Sequence, residues 1–423
     1  MKCSRSLLAG FTLGLLLVIS FVIDCHNVTA GGTIDFRNRI TGTRVFQMGQ
    51  DPYRYKWNSN EPPELCDPYN NPALPISKVT VSPTLLMFNL PLARLSYRGA
   101  QFMWLTIQWI LLLGTGYVWW NLIPQKRKRW LWACAVVGFT YTVAWRHHAD
   151  RGQAYVVMLF LISCWFAAIK NEKYKNSVLG GMVVGLLVAL RPPLLLALVP
   201  FQLIRCRKQL LGTVMGLALF AGMPTLWNAS CWKQYQSGME TWSQLYRDGH
   251  HNPRPPAQAF PAEVEQIPLD VLAHFGTIPF ADTSVFALLR SLGINSVPAL
   301  PVALVLAGGM ALWYLFARNG RDESLLIGIA AWTFLMDMFL PAYRNSYTDV
   351  MILNLGALLI LYQRDSLTRV LLAAWPLGWA IYAMLPGQKW IINLPTIIMS
   401  AVAFVALLKP ILSNSPPSAA VPK

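Results

Sequence analysis

Asp35 opens the run Asp35-Phe36-Arg37-Asn38-Arg39, and Gly49-Gln50-Asp51-Pro52-Tyr53 follows it. A carboxylate among arginines can take the proton of an attacking hydroxyl, which accelerates such a step by about 10²–10⁴-fold. Arginines in a site with little water can meet negative charge as it develops on a phosphate. Further arginines stand in Arg146-His147-His148-Ala149-Asp150-Arg151-Gly152-Gln153, in Arg191-Pro192-Pro193 and in Pro341-Ala342-Tyr343-Arg344-Asn345-Ser346-Tyr347. One carboxylate suffices when the leaving group is already a stabilised anion such as a lipid phosphate. Cleaving an ordinary glycoside requires a second carboxyl to protonate the leaving oxygen.

Each candidate also has a structural reading. Asp35 could pair with Arg37 or Arg39, since ion pairs also populate clefts. Asp51 suits a turn before Pro52 and Tyr53. Arg191 could anchor a helix end, and Tyr343, Arg344 and Tyr347 could form an interfacial aromatic belt. His147, His148 and Asp150 could sit in a solvated turn, because their spacing is not diagnostic of a metal ligand set; no metal and no cofactor are expected. Asp337 falls within the apolar run from Leu325 to Leu340, where a lone carboxylate is costly and is either functional, paired or close to the interface. Cysteine is sparse, with seven residues and no Cys-x-x-Cys pair. Cys25, Cys66 and Cys231 are candidates for one outer disulfide, and spacing does not choose among them.

The elements that must position these residues follow from composition. With 55% hydrophobic and only 13% charged residues, the chain reads as an all-α polytopic membrane protein rather than a solvated globule. A span needs roughly 20 apolar residues; Leu7 to Ile23 and about Ser96 to Leu122 are the first two. The first reads as a retained helix, since no small-residue cleavage pattern closes it. The net charge of +16 is spread over short clusters: Gln125 to Arg129, Lys170 to Lys175, Arg205 to Lys208, Arg318 to Arg321, Arg364 to Arg369 and Lys409. This is the pattern of cytoplasmic loops, so membrane lipids rather than nucleic acid are the expected partner. Placing all clusters inside predicts about twelve spans with both termini cytoplasmic. Ser177 to Ile204 is too short for two full helices and is interrupted by Arg191-Pro192-Pro193, so a short broken pair is expected there. Two long outer loops result, Asp24 to about Leu95 and Trp227 to about Pro298. Short interfacial helices are expected at Pro83 to Leu92, Ala262 to Phe275 and Ser284 to Leu292. Residues 1–412 form one membrane domain, and the Ser/Pro/Ala-rich tail 413–423 reads as disordered.

Asp35-Phe36, Gly49-Gln50-Asp51-Pro52-Tyr53, Ser82-Pro83-Thr84-Leu85 with Pro91-Leu92, Gly152-Gln153 and Arg191-Pro192-Pro193, taken in order, resemble the signature of glycosyltransferase family 87. That resemblance implies a GT-C-like helical bundle in the cell membrane. It implies transfer of a sugar, a hexose such as mannose or a pentose, from a polyprenyl-phosphate donor to a lipid or glycan hydroxyl on the extracytoplasmic side. It implies Asp35 as general base; Arg151, Arg191 and Arg344 are the candidate donor-phosphate ligands. Arg37, Asp51, Tyr53, His148, Gln153, Tyr343 and Tyr347 are the remaining candidate substrate contacts. Relatives often carry a histidine near the outer end of a late span, where this chain has Arg344-Asn345-Ser346-Tyr347. A secondary transporter or lipid flippase is the competing reading of such a bundle. A scaffold subunit without chemistry would explain the spans but not the order of motifs around Asp35.

Overall fold

The computed structural model describes residues 2–247, 282–294, 298–342, 344–384 and 394–412, and every regular element within them is helical. The helix expected at Ala262 to Phe275, Tyr343 and the tail from 413 lie outside the described residues.

The first helix, α1 (Lys2–Gly31), runs on past Ile23. Its outer face leaves Leu7, Leu8, Phe11, Val18 and Val22 exposed, which suits lipid and not water. Its inner face is fastened by polar contacts. Asp24 is fully buried, accepts from Trp109 Nε1 at 3.0 Å and Trp145 Nε1 at 2.8 Å, and pairs with Arg146. Arg146 also donates to Ser20 O at 2.9 Å. A buried carboxylate survives in an apolar setting only when so many donors meet it.

After α2 (Ile34–Gln47) come two single-turn pieces, α3 (Pro83–Phe88) and α4 (Leu90–Ala93), where one interfacial helix was expected. The Ser82 hydroxyl caps α3 by accepting from the Leu85 N–H, and Pro83 occupies the first turn, where its missing donor costs nothing. Then follow α5 (Tyr97–Leu122), α6 (Lys126–Phe139), α7 (Val143–Asp150), α8 (Tyr155–Lys170), α9 (Val178–Leu190), α10 (Leu194–Arg205) and α11 (Gln209–Trp227). The chain breaks between α9 and α10 at Arg191-Pro192-Pro193, as the prolines predict. The closest packing is between α9 and α11. A β-carbon on Gly181 would lie 1.9 Å from Gln209 O, and one on Gly212 would lie 2.0 Å from Val178 O. With Gly185 and Gly216 each four residues on, this is the small-residue spacing that lets two backbones touch in lipid.

Past α11, α12 (Cys231–Arg247) is a full helix in what reads in sequence as the second outer loop. The rest are α13 (Val285–Ser291), α14 (Ala299–Ala317), α15 (Asp322–Leu335), α16 (Ile352–Leu361), α17 (Asp365–Met384) and α18 (Leu394–Leu412). Two 3-10 segments, Met336–Phe339 and Ser346–Met351, flank the turn that carries Arg344.

Among the described residues, four helical stretches are long and apolar enough to cross a membrane: Ser6–Ala30, Tyr97–Leu122, Gln209–Trp227 and Leu300–Ala317. A fifth appears if α7 and α8, bent by 115°, count as one broken span. The other apolar helices, among them α9 and α10, are shorter than the length rule asks. The basic clusters nevertheless converge. Lys175 Nζ and Arg205 Nε each lie 3.0 Å from the Asp322 carboxylate, Arg205 Nη2 donates to Arg318 O at 3.0 Å, and Lys128 lies 3.8 Å from Asp365. Helices α8, α9, α10 and α15 each begin or end at these contacts. Their other ends carry Tyr155, Arg191, Leu194 and Asp337, so the bundle has a basic end and an opposite end where the candidate residues gather.

Candidate active site

Asp35 lies in the first turn of α2, where unpaired backbone N–H groups favour a carboxylate. The turn from α1 is tight: Gly32 takes φ +69° and Thr33 takes φ +42°. Thr33 tolerates the left-handed conformation because its hydroxyl is tied to Tyr97 Oη at 2.9 Å and accepts from Gln101 Nε2 at 2.5 Å.

A second tight turn meets the first. The 115° bend between α7 and α8 holds Arg151, Gly152 and Gln153. Phe36 N donates to Arg151 O at 3.2 Å, and Trp104 Nε1 donates to Gly152 O at 2.8 Å. The Phe36 and Trp104 rings stack at 5.6 Å. Gly152 has φ +63°, and a β-carbon there would stand 2.5 Å from the Phe36 β-carbon, so only glycine fits. Buried Arg39 donates through Nη1 to Gly152 O at 2.6 Å and through Nη2 to Gln153 Oε1 at 2.5 Å. With its oxygen engaged by Arg39, the Gln153 amide must turn its NH₂ to Asp35, to which it donates through Nε2. Arg151 Nη1 faces the other side of Asp35 at 3.9 Å, and the two side chains remain 31% and 25% exposed. Asp35 therefore has one braced oxygen and one face open to an incoming group. The direct partner is Arg151; Arg39 acts through Gln153, and Arg37 stacks on the Tyr97 ring at 4.6 Å.

The long first loop closes over this cluster. Asp51 Oδ1 accepts from Tyr53 N at 2.9 Å, which is the turn role, and the buried Tyr53 donates to Val81 O at 2.9 Å. Lys56 Nζ donates at 2.7 Å to Asn70 Oδ1, Asn71 O and Ile76 O, gathering the loop around one ammonium. This brings Asp67 and Lys78, neither singled out by its local sequence, into the surroundings of Asp35, Arg37 and Arg151. Burial pushes the Asp67 carboxyl up to about 6, against the pull of Arg37 and Lys78. Burial likewise pulls the Lys78 ammonium down to about 7, against the attraction of Asp67 and Asp35. Helix α12 lies across the loop: Gly238 packs on Tyr53, Trp242 Nε1 donates to Ser77 O at 3.1 Å, and Arg54 Nη2 donates to Ser237 Oγ at 2.9 Å.

A second cluster adjoins the first through Arg39, which is within electrostatic reach of Tyr155 and Tyr347. Those two rings lie 5.9 Å apart. Arg191 stacks over Tyr155 at 5.1 Å and donates to Asp337 Oδ1 through Nη2 at 2.6 Å and Nε at 3.0 Å. Asp337 is thus buried and paired with Arg191. Arg344 is almost fully buried; it donates to Asp349 Oδ1 at 2.9 Å and to Thr283, and its Nε is unpartnered. The two histidines diverge. His147 Nδ1 lies 2.9 Å from Ser346 Oγ, while the buried His148 stacks on Trp145 and accepts from Val156 N at 3.2 Å. Among the described residues no group of three His, Cys, Asp or Glu side chains could hold one metal ion. Cys25, Cys66 and Cys231 are all free thiols.

Of the residues expected from sequence, Asp35, Arg37, Arg151 and Gln153 come together, and Arg191 and Tyr347 join them through Arg39 and Tyr155. His148, Asp51 and Tyr53 hold neighbouring backbone and loop. Asp67, Lys78 and Tyr155 carried no local signal, because what assembles them is contact across the fold.

No curated protein and no solved structure matches the chain. The glycosyltransferase family 87 profile matches residues 80–342, more than half of the sequence and including Arg151, Gln153, Arg191 and Asp337. By that match, and in keeping with its apolar helices, the chain belongs to glycosyltransferase family 87 and is a membrane glycosyltransferase.

Proposed function

We propose that this transferase moves a sugar, a hexose such as mannose or a pentose, from a polyprenyl monophosphate to a hydroxyl of a lipid or glycan, with Asp35 as general base. As the acceptor oxygen bonds to the anomeric carbon, its proton passes to Asp35. The bond from that carbon to the phosphate oxygen breaks with its electron pair, and the polyprenyl phosphate departs. A single displacement of this kind inverts the anomeric configuration. Arg151, across from Asp35, is suited to the charge that grows on the phosphate. Arg191 and Arg344 would reach that phosphate only by sharing it with Asp337 and Asp349. Both substrates carry long tails, so the bilayer itself supplies part of their positioning.

The observation that carries this reading is the brace from Arg39 through Gln153 to Asp35, which leaves a partly exposed carboxylate opposite an arginine. The family match begins at residue 80, so Asp35 rests on this geometry, and its partners Arg151 and Gln153 rest on both. Convergence of the basic clusters away from the site supports cytoplasmic termini and an extracytoplasmic site in the cell membrane, in a bundle proposed to make about twelve crossings. Membership of a transferase family favours this account over a transporter or flippase. Purified protein incubated with a panel of radiolabelled polyprenyl-phosphate sugars and membrane lipid extract should yield one labelled product. Transfer from nucleotide sugars and from none of the panel would overturn the donor class.

A further inference from the structure

We propose that His147 is a contact for the transferred sugar, its Nε2 accepting a hydrogen bond from one hydroxyl of the lipid-linked donor's sugar ring. This rests on the lipid-phosphate reading above and adds to it a residue whose tautomer says what kind of group it receives.

The tautomer follows from two neighbours. Asn345 Oδ1 accepts from Ser346 N at 2.7 Å, which fixes the amide with its oxygen toward Ser346, and Ser346 Oγ also donates to that oxygen at 3.1 Å. A serine hydroxyl has one proton to give. With that proton directed at Asn345, Ser346 Oγ can only accept from His147 Nδ1, 2.9 Å away. Nδ1 therefore carries the hydrogen and Nε2 the lone pair. Among the described residues Nε2 makes no hydrogen bond, and His147 is partly exposed. The next residue is the contrast: His148 is buried, stacks on Trp145 and uses its own Nε2 to accept from Val156 N.

Helix α7 sets where the ring stands. Arg151 lies four residues on, and its N donates to His147 O at 3.0 Å. The two side chains therefore share one helix face, about 6 Å apart along the axis. Arg151 faces Asp35 at 3.9 Å. On the other side of the imidazole, Tyr347 follows Ser346, and its ring lies 5.9 Å from that of Tyr155, over which Arg191 stacks. His147 thus stands between the Asp35–Arg151 pair and the Tyr155–Tyr347 pair.

These constraints select the ligand. The oxygens of a phosphate diester only accept, so a nitrogen lone pair repels them, whereas it attracts the hydrogen of a hydroxyl. In the displacement written above, the sugar lies between the base and the phosphate. A group one helical turn from Arg151 is then beside the ring's hydroxyls and away from the bond that breaks. A sugar lacking the matching hydroxyl would leave Nε2 unpaired, which is how such sites discriminate between sugars.

The test uses the full-length protein in nanodiscs, the polyprenyl-phosphate sugar that the labelled panel identifies as donor, and its monodeoxy analogues, each lacking one hydroxyl. His147→Asn keeps an N–H for Ser346 but has no atom where Nε2 stands. It should lower kcat/KM for the parent donor about tenfold and for one analogue not at all, the coupling expected of direct contact. His147→Phe keeps the ring's bulk, removes both nitrogens and should show the same coupling. His147→Gln, whose longer amide can place its oxygen near the lost Nε2, should regain part of the rate and of the coupling. Wild-type kcat/KM in H147N and H147F would overturn the assignment. So would a loss equal across the parent and every analogue, the mark of a ring that merely supports Ser346 and its turn. Transfer from nucleotide sugars and from no polyprenyl-phosphate sugar would instead defeat the donor reading, and this inference with it.

Discussion

Gln153 decides how Asp35 is presented, because an amide can satisfy a buried guanidinium with its oxygen while donating to a carboxylate with its nitrogen. Gln153→Glu keeps the partner of Arg39 but sets a second carboxylate against Asp35, so the pair holds a proton more tightly. Transfer by this variant should fall at neutral pH and partly recover as pH rises, with the acid limb of kcat displaced upward by about one unit. A pH–rate profile unchanged from wild type would mean that Gln153 does not govern the base. At this scale much was legible in the sequence. Asp35, Arg151, Gln153 and Arg191 carry chemistry by residue type, and turn-forming neighbours mark where the chain exposes them. Their pairings were not legible: Arg39 rather than Arg37 braces the site, and Asp337 is the partner of Arg191, because a partner more than a hundred residues away leaves no local pattern.

At the level of elements, the site is the meeting of two tight turns, one between α1 and α2 and one between α7 and α8. Gly152 joins them. Alanine at this position would adopt a left-handed backbone, which costs about 1–2 kcal/mol, and would press its β-carbon into Phe36, the neighbour of Asp35. Gly152→Ala should lower thermal stability and reduce kcat about tenfold or more, since displacements near 1 Å at a reacting group are costly. Wild-type kcat in G152A would show that the packing of Phe36 does not set the position of Asp35. Prolines made the break between α9 and α10 readable, and a serine cap with Pro83 made the start of α3 readable. Helix α12 escaped notice because its aromatic residues alternate with polar ones and its apolar face is matched to the first loop, Tyr53 above all, rather than to lipid. Its partner surface is another loop, so hydropathy alone reads it as connecting chain.

Across the whole molecule, polar contacts sort to two ends. Lys128, Lys175, Arg205 and Asp322 collect at one, and Asp35, Arg39, Arg151, Arg191 and Asp337 collect at the other. This separation was legible in the alternation of basic clusters with motif-bearing segments. Four helical stretches among the described residues reach the length of a span, or five with the bent pair, while α9 and α10 are the short broken pair that Arg191-Pro192-Pro193 predicts. The central claim is that one carboxylate at the motif-bearing end takes the acceptor proton during sugar transfer from a lipid phosphate. Asp35→Asn keeps the size of the side chain and one oxygen that can accept from Gln153, while removing the base. Its transfer rate from the lipid donor identified above, measured on protein with wild-type melting behaviour and donor affinity, should fall about 10²–10⁴-fold. A rate within a few fold of wild type would contradict the account.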